Sequence, residues 1–184
     1  MIAPLVFLSI FVLVFLSIFS VTASYITISI NAFTFAPWVP SRMKDLKRAL
    51  SLAGLEPGEI FYDLGCGDGR TVFFANKFFK AKAIGIERSW LLYLFCRLKK
   101  AIFYRHADIT FHRRNLFKEN LAAADVVYVY GLPHVLRNKV KAKLSRELKK
   151  GARVISYVFP IDGLTPTIAD QATSRRYPVF IYWF

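Results

Sequence analysis

The chain is 184 residues long and 55% hydrophobic, and its 26 Lys and Arg against 12 Asp and Glu give a formal net charge of +14. That length holds one domain and an appendage. Cys66 and Cys96, with no C-x-x-C pair or histidine cluster beside them, exclude a zinc-binding pattern.

The charge is unevenly spread. Residues 1–41 contain no Asp, Glu, Lys or Arg, so the whole +14 belongs to the part after residue 41. Ile2 to Ala23 is almost wholly apolar, enough to cross a hydrocarbon core of about 30 Å. A cleaved secretory signal begins with basic residues and has a shorter core, although Val21-Thr22-Ala23 has the form of a cleavage site. A retained transmembrane helix is therefore expected, in an anchor at residues 1–36 whose segment 24–36 extends the span or lies in the interface. Arg42, Lys44, Lys47 and Arg48 follow closely and nothing basic precedes the core. The positive-inside rule then predicts a single-pass membrane protein with its domain in the cytoplasm.

A pre-domain segment, 37–54, comes next. Pro37-Trp38-Val39-Pro40 is stiff and extended, because proline fixes its own φ and turns its predecessor away from helix. Met43, Leu46 and Leu50 predict one face of a short amphipathic helix ending near Gly54. Residues 55–184 form the domain. Strands at 59–63, 82–87, 107–112, 125–130 and 152–159 alternate with helices at 69–79, 89–104 and 133–150. The last helix has Pro133 at its start, a stripe of Leu136, Val140, Leu144 and Leu148, and Gly151 as its stop. Such alternation predicts an α/β fold with a mostly parallel sheet and helices on both sides. Residues 160–176 read as loop, and Tyr177 to Phe184 as a strand or hairpin closing a compact C-terminus.

The run Phe61-Tyr-Asp-Leu-Gly-Cys-Gly-Asp-Gly-Arg70 carries the most information. Apolar residues lead into Asp63, and glycines fall at 65, 67 and 69, which predicts a buried strand ending in a tight turn before a helix. A helix N-terminus there would supply unpaired N–H groups. The spacing G-x-G-x-G is not the dinucleotide G-x-G-x-x-G. With its acid two residues ahead of the first glycine, it resembles motif I of class I S-adenosylmethionine (SAM)-dependent methyltransferases. Ligands of open α/β sheets bind beyond the carboxyl ends of the strands. The second strand ends in Glu87, placed to accept from vicinal ribose hydroxyls, and the third ends near Asn115 and Leu116, where the amide can pair with an adenine edge. The expected cofactor-binding set is Asp63, Gly65, Cys66, Gly67, Asp68, Gly69, Glu87, Asn115 and Leu116. Each has a plainer reading: a structural turn for the glycines, a surface acid for Glu87, a loop residue for Asn115 and a helix cap for Asp68.

A narrower resemblance rests on Pro-Trp-Val-Pro-Ser at 37–41, Asp-Leu-Gly-Cys-Gly-Asp-Gly-Arg at 63–70, Gly-Ile-Glu at 85–87 and Glu-Leu-Lys-Lys-Gly-Ala-Arg-Val-Ile at 147–155, with Phe159-Pro160 after it. Over about residues 30–160 the chain resembles the membrane-anchored lysine methyltransferases that include the mitochondrial enzymes acting on ATP synthase subunit c and on the adenine nucleotide translocase. It departs from them at Arg88-Ser89-Trp90, where the acid is commonly followed by Asn. The resemblance implies a Rossmann-like class I fold, SAM as cofactor, and a protein substrate with an acceptor lysine in or beside a membrane. It also implies that residues 37–41 cover the pocket.

A lysine acceptor must lose its proton, and an apolar, aromatic entry lowers its pKa by desolvation. Trp38, Tyr128, Tyr130 and Tyr157 are the aromatics in question; Tyr128 and Tyr130 alternate, so only one faces each side of a strand. Asp125-Val-Val-Tyr128 fits a formal Asp-x-x-Tyr pattern, although Asp125 also reads as the start of the fourth strand. The loop Gly131-Leu132-Pro133-His134 should border the acceptor site. Trp38, Tyr130 and His134 are therefore the expected catalytic residues. The basic surface fits an anionic lipid surface, with nucleic acid as the second reading. An RNA methyltransferase and a non-catalytic, membrane-tethered SAM-binding module are the alternative functions.

Overall fold

The structure is a computed structural model. It describes residues 2–34, 39–171, 173 and 176–184, and in its first helix the side chains of 7–23 and 25. It divides into two compact units, Met1–Pro37 and Trp38–Phe184.

The first unit is one helix, α1 (Ile2–Thr34). Its described side chains are exposed. Ser17 donates to the Val14 carbonyl, and Thr22 to those of Ile18 and Phe19, so the hydroxyls are satisfied within the helix. Among the described residues no helix is long and apolar enough to cross a membrane. This corrects the expected transmembrane helix and, with it, the single-pass, cytoplasm-facing localisation.

The second unit is built on a seven-stranded sheet of order β3-β2-β1-β4-β5-β7-β6. Strands β1 (Ile60–Leu64), β2 (Lys82–Glu87), β3 (Ile109–Arg113), β4 (Val126–Val129) and β5 (Arg153–Tyr157) are parallel. β6 (Ile168–Asp170) and β7 (Val179–Trp183) add antiparallel neighbours. β4 is buried at every position, as expected of a central strand covered on both faces. Helices α2 (Met43–Leu52), α3 (Arg70–Phe79) and α4 (Trp90–Phe103) precede β1, β2 and β3. Strand order reverses at β1, whose neighbours are β2 and β4, so the ligand crevice of such a sheet opens beyond the carboxyl ends of β1 and β4.

Three local expectations are corrected. The 160–176 loop contains β6, three residues too short to show an alternation. The helix over 133–150 is broken into α5 (Pro133–Val135), a π turn at Leu136–Val140 and α6 (Lys141–Glu147), and ends before Leu148. Leu136, Val140 and Leu144 still form its buried stripe. In α2 the buried face is Asp45, Leu46, Ala49 and Leu50, while Met43 is exposed.

Asp125 holds the amino edge of the sheet. Its carboxylate accepts from the Ile60 N–H at 2.8 Å and pairs with Lys149 at 2.5 Å. The plainer reading of this residue therefore fits, since a carboxylate so engaged at the start of β4 lies at the opposite edge from the glycine loop.

Gly85 in β2 faces Asp63 of β1, and a Cβ there would stand 2.7 Å from Phe111 and 2.8 Å from the Cys66 Sγ. Gly85→Ala is therefore expected to destabilise the domain by about 1–3 kcal/mol through overpacking. Urea unfolding monitored by circular dichroism checks this, and an unchanged midpoint would contradict it.

Candidate functional site

β1 carries Asp63 into the core and delivers the loop 65–69 at its carboxyl end. Gly65, Gly67 and Gly69 have φ of 96°, 56° and 74°, a region L-residues rarely occupy. At Gly69 a Cβ would also meet Cys96 Sγ at 2.9 Å and the rings of Phe73 and Phe111 at 3.0 and 3.1 Å. Glycine is thus required there by conformation and by space.

Most N–H groups of this loop are spent inside the protein. Those of Gly65 and Cys66 both donate to the Ile86 carbonyl, at 2.9 and 3.0 Å. Gly67 donates to Glu87 Oε2 at 2.9 Å, Gly69 to the Cys66 carbonyl at 2.8 Å, and Arg70 to Asp68 Oδ1 at 3.2 Å. These bonds take up five of the donors expected to form an open cradle at the start of α3. Beside the rest the loop presents carboxylate.

Asp63 is 3% exposed and its carboxyl is pushed up to about 8. Burial is the main cause; a hydrogen bond from Thr71 opposes it, and the charges of Glu87 and Asp68 add to it. Glu87 is raised by burial, against hydrogen bonds from the N–H groups of Ser89 and Gly67. For Asp68 burial acts upward, but the hydrogen bonds and charge of Arg70 outweigh it and hold the carboxyl below its usual range. Cys66 and Cys96 are buried free thiols. The Cys66 thiol is raised by its hydrogen bond with Cys96 and then by burial, and Cys96 donates to the Gly67 carbonyl at 3.3 Å. The Cys66 side chain therefore packs beneath the loop and leaves only its backbone toward the crevice.

Three carboxyl groups line a pit at one strand-end loop of a basic domain: Glu87, Asp68 paired with Arg70, and Asp63, which is protonated at neutral pH and ionises when a cation offsets the cost. Such a pit repels phosphate and favours a cation. Glu87 accepts from the N–H groups of Ser89, Gly67 and Arg88, which leaves about one of its roughly four acceptor positions for a hydroxyl donor. A ligand joining a cationic centre to a hydroxyl-bearing ribose fits these residues; a dinucleotide pyrophosphate does not. At the third strand end, Asn115 Oδ1 accepts from the Phe117 N–H at 3.1 Å and caps the turn Leu116–Lys118, with Leu116 buried behind it. Part of the Asn115 amide is therefore committed locally.

A tyrosine cluster occupies the ends of β4 and β5. Tyr157 stacks on Tyr128 at 6.1 Å between centroids, and meets Tyr130 and Tyr177 edge-on at 5.1 and 6.0 Å. Tyr128 and Tyr130 are two residues apart, and side chains i and i+2 of an extended segment lie on one face, so both reach Tyr157. That corrects the expectation that only one of the pair reaches a given side. The segment before the domain is stitched to this cluster. Ser41 Oγ and Tyr128 Oη lie 2.8 Å apart, and Tyr157 donates to the buried Asp45 at 2.8 Å. Arg70 joins the segment to the glycine loop, holding Asp68 and donating to the Ser41 carbonyl at 3.2 Å. Burial first, then Asp45, raises the Tyr157 hydroxyl; burial, then Tyr177, raises that of Tyr130. Both stay protonated at neutral pH. His134 is exposed at the start of α5. Trp38 lies outside the described residues.

Sequence reasoning missed Thr71, Asp45 and Tyr177. Asp45 carried a signal, being the one acid among four basic residues at 42–48. The others are set by tertiary contacts that no local pattern announces.

The model of the ANTKMT methyltransferase domain matches residues 63–168. A protein-lysine N-methyltransferase of Saccharolobus islandicus (strain REY15A) is 34% identical, over 79% of this chain and 92% of that protein. The adenine nucleotide translocase lysine N-methyltransferase of Mus musculus is 35% identical, over 76% of this chain and 60% of that protein. Among solved structures, an RNA methyltransferase from Salinibacter ruber in complex with S-adenosyl-L-homocysteine superposes with a TM-score of 0.72 at 29% identity, covering 79% of this chain and 93% of that one. The seven-stranded, mostly parallel sheet is accordingly a class I methyltransferase fold, and the chain is a SAM-dependent methyltransferase belonging to the ANTKMT methyltransferase domain family.

Proposed function

We propose that the chain methylates a lysine side chain of a protein, with the cofactor held by Asp63, the 65–69 loop, Glu87, Asn115 and Leu116. The observation that carries the site is the carboxylate pit: Asp63, Asp68 and Glu87 at the loop that leaves β1, where a cation is favoured over a phosphate. The lysine acceptor is supported by the relatives, which include a protein-lysine N-methyltransferase.

SAM supplies a methyl group already activated on a sulfonium. The protein is left with binding, alignment and exclusion of water. Glu87 accepts a ribose hydroxyl, and Asp63 and Asp68 favour the positive charge. The tyrosine cluster supplies an apolar wall with cation-attracting ring faces for an incoming ammonium. Desolvation against that wall favours the neutral amine that can react. Tyr130, held protonated, acts here as wall and hydrogen-bonding group and not as base. His134, after the same strand end, is the side chain assigned to take up the proton.

Tyr130→Ala is expected to lower kcat/KM for a protein acceptor by about tenfold, the worth of one partly desolvated cation–π contact. Its affinity for SAM should match the parent in calorimetry. An unchanged kcat/KM would remove Tyr130 from the acceptor site.

The likeness to the Salinibacter RNA methyltransferase and the +14 charge favour RNA as a second acceptor class. Incubating the full chain with radiolabelled SAM and a membrane-containing extract, followed by protease or ribonuclease digestion, separates the two. Label in protein, located on lysine by mass spectrometry, is the expected result; label released only by ribonuclease would overturn the lysine reading. Fractionating the labelled protein between membrane and soluble pools tests the membrane-adjacent substrate, which a wholly soluble product would contradict.

A further inference from the structure

Helix α4 is inside out for a globular domain. Cys96 is its one fully buried side chain among the described residues. Trp90, Leu94, Leu98 and Ile102 follow one another four residues apart, so they share roughly a third of the helix circumference. All four are exposed, as are Phe95 beside them and Phe103 at the end. A surface helix ordinarily turns such a stripe toward the core. Exposed apolar stripes of this extent mark contact sites.

Charge says what the contact is. From residue 88 to 107 the chain carries five Lys or Arg and no acid. Counting 100° per residue from Trp90 puts Arg97 and Lys99 on the two flanks of the stripe. At the carboxyl end of α4 a cleft of about 590 Å³ opens between α4 and α3. Lys77, Lys80, Lys99 and His106 line it beside the rings of Phe103 and Tyr104, with Asp108 as its acid. Lys80 there follows the last turn of α3, and its residues lie at the edge of the sheet away from the glycine loop. An apolar stripe flanked by cations, with a Trp at one end and a lysine-lined cleft at the other, is the composition of a helix lying in a lipid interface.

We infer that α4 rests on an anionic phospholipid surface, its stripe entering the headgroup–acyl boundary and the Lys77–Lys80–Lys99 cleft taking a phosphate headgroup. A surface contact of this kind needs no spanning helix. Neither does it depend on the methyl-transfer reading, since none of these residues belongs to the proposed cofactor or acceptor site.

The test uses the full chain with vesicles of phosphatidylcholine alone or mixed with phosphatidylserine, brominated on the acyl chains. Bromine quenches tryptophan at short range, so the difference between parent and Trp90→Phe reports α4 whatever other segments do. Quenching by the phosphatidylserine vesicles that is lost in Trp90→Phe is expected. So is a weakened response to anionic lipid in Lys77→Glu/Lys80→Glu and in Leu98→Glu, with methyl transfer to a soluble acceptor unchanged. Equal quenching in parent and Trp90→Phe would overturn the inference. So would a sedimentation shift from dimer to monomer on Leu98→Glu without any vesicle effect, which would make the stripe an interface between copies of the chain.

Discussion

Asp63→Asn is expected to lower the affinity for SAM by about 100-fold, the worth of a charge-assisted hydrogen bond to a buried group. The variant keeps size and shape, so the loss reads charge alone. The same residue makes binding pH-dependent in the parent. With its carboxyl raised to about 8, Asp63 is protonated in the free protein at neutral pH. A cationic ligand favours the ionised form, so affinity should rise with pH up to about 8 and then level, with a proton released at pH 7. Calorimetry in buffers of different ionisation enthalpy measures that proton directly. Folding shows the opposite slope. The unfolded carboxyl titrates near about 3.9, so this group's contribution to stability is complete below that pH and is lost as pH rises through the folded value of about 8. Asp63→Asn should flatten both dependences. A pH-independent SAM affinity in the parent would show that Asp63 does not face the positive charge.

Glu87→Ala is the second large effect. Its two oxygens hold the N–H groups of Gly67 at 2.9 Å and Ser89 at 2.7 Å. Truncation removes the acceptor for a ribose hydroxyl and also frees the loop from β2. A loss of about 2–3 kcal/mol in SAM binding is expected, roughly 100-fold, by analogy with removing a charged hydrogen-bonding group. Glu87→Gln separates the contributions, because its amide oxygen can still accept one N–H. It should recover part of the affinity of Glu87→Ala, as measured by equilibrium dialysis. Equal affinity for Glu87→Ala and the parent would remove this carboxylate from the cofactor site.

Much of this was legible along the chain. The alternation of apolar runs located β1 to β5, because buried parallel strands are apolar throughout and bounded by glycine and polar residues. Glycines at 65, 67 and 69 announced the loop, because positive φ leaves a compositional trace. β6 left no trace, being three residues long and held by pairing with β7. The π turn at Leu136–Val140 keeps the buried stripe, so hydrophobic spacing cannot reveal it. In the site itself, the positions of Asp63 and Glu87 followed from strand ends, but the fate of the loop N–H groups did not. Composition suggests open donors; the Ile86 and Cys66 carbonyls and the Glu87 and Asp68 carboxylates that occupy five of them lie on β2 and in the loop itself. Tyr177, two residues ahead of β7, reaches Tyr157 through the antiparallel pairing of β7 with β5, a contact between residues twenty apart in sequence. The charge-free first segment departs furthest from expectation: its long apolar run predicts a membrane span, and among the described residues no helix is long and apolar enough to provide one.

The account stands on one placement: a cationic adenosyl donor at the carboxyl ends of β1 and β2. A crystal of the full chain grown with SAM tests it most directly. The predicted result is density beyond the 65–69 loop, with the ribose on Glu87 and the positive charge on the side of Asp63 and Asp68. Density elsewhere on the domain, with this crevice filled by the protein's own side chains, would contradict it.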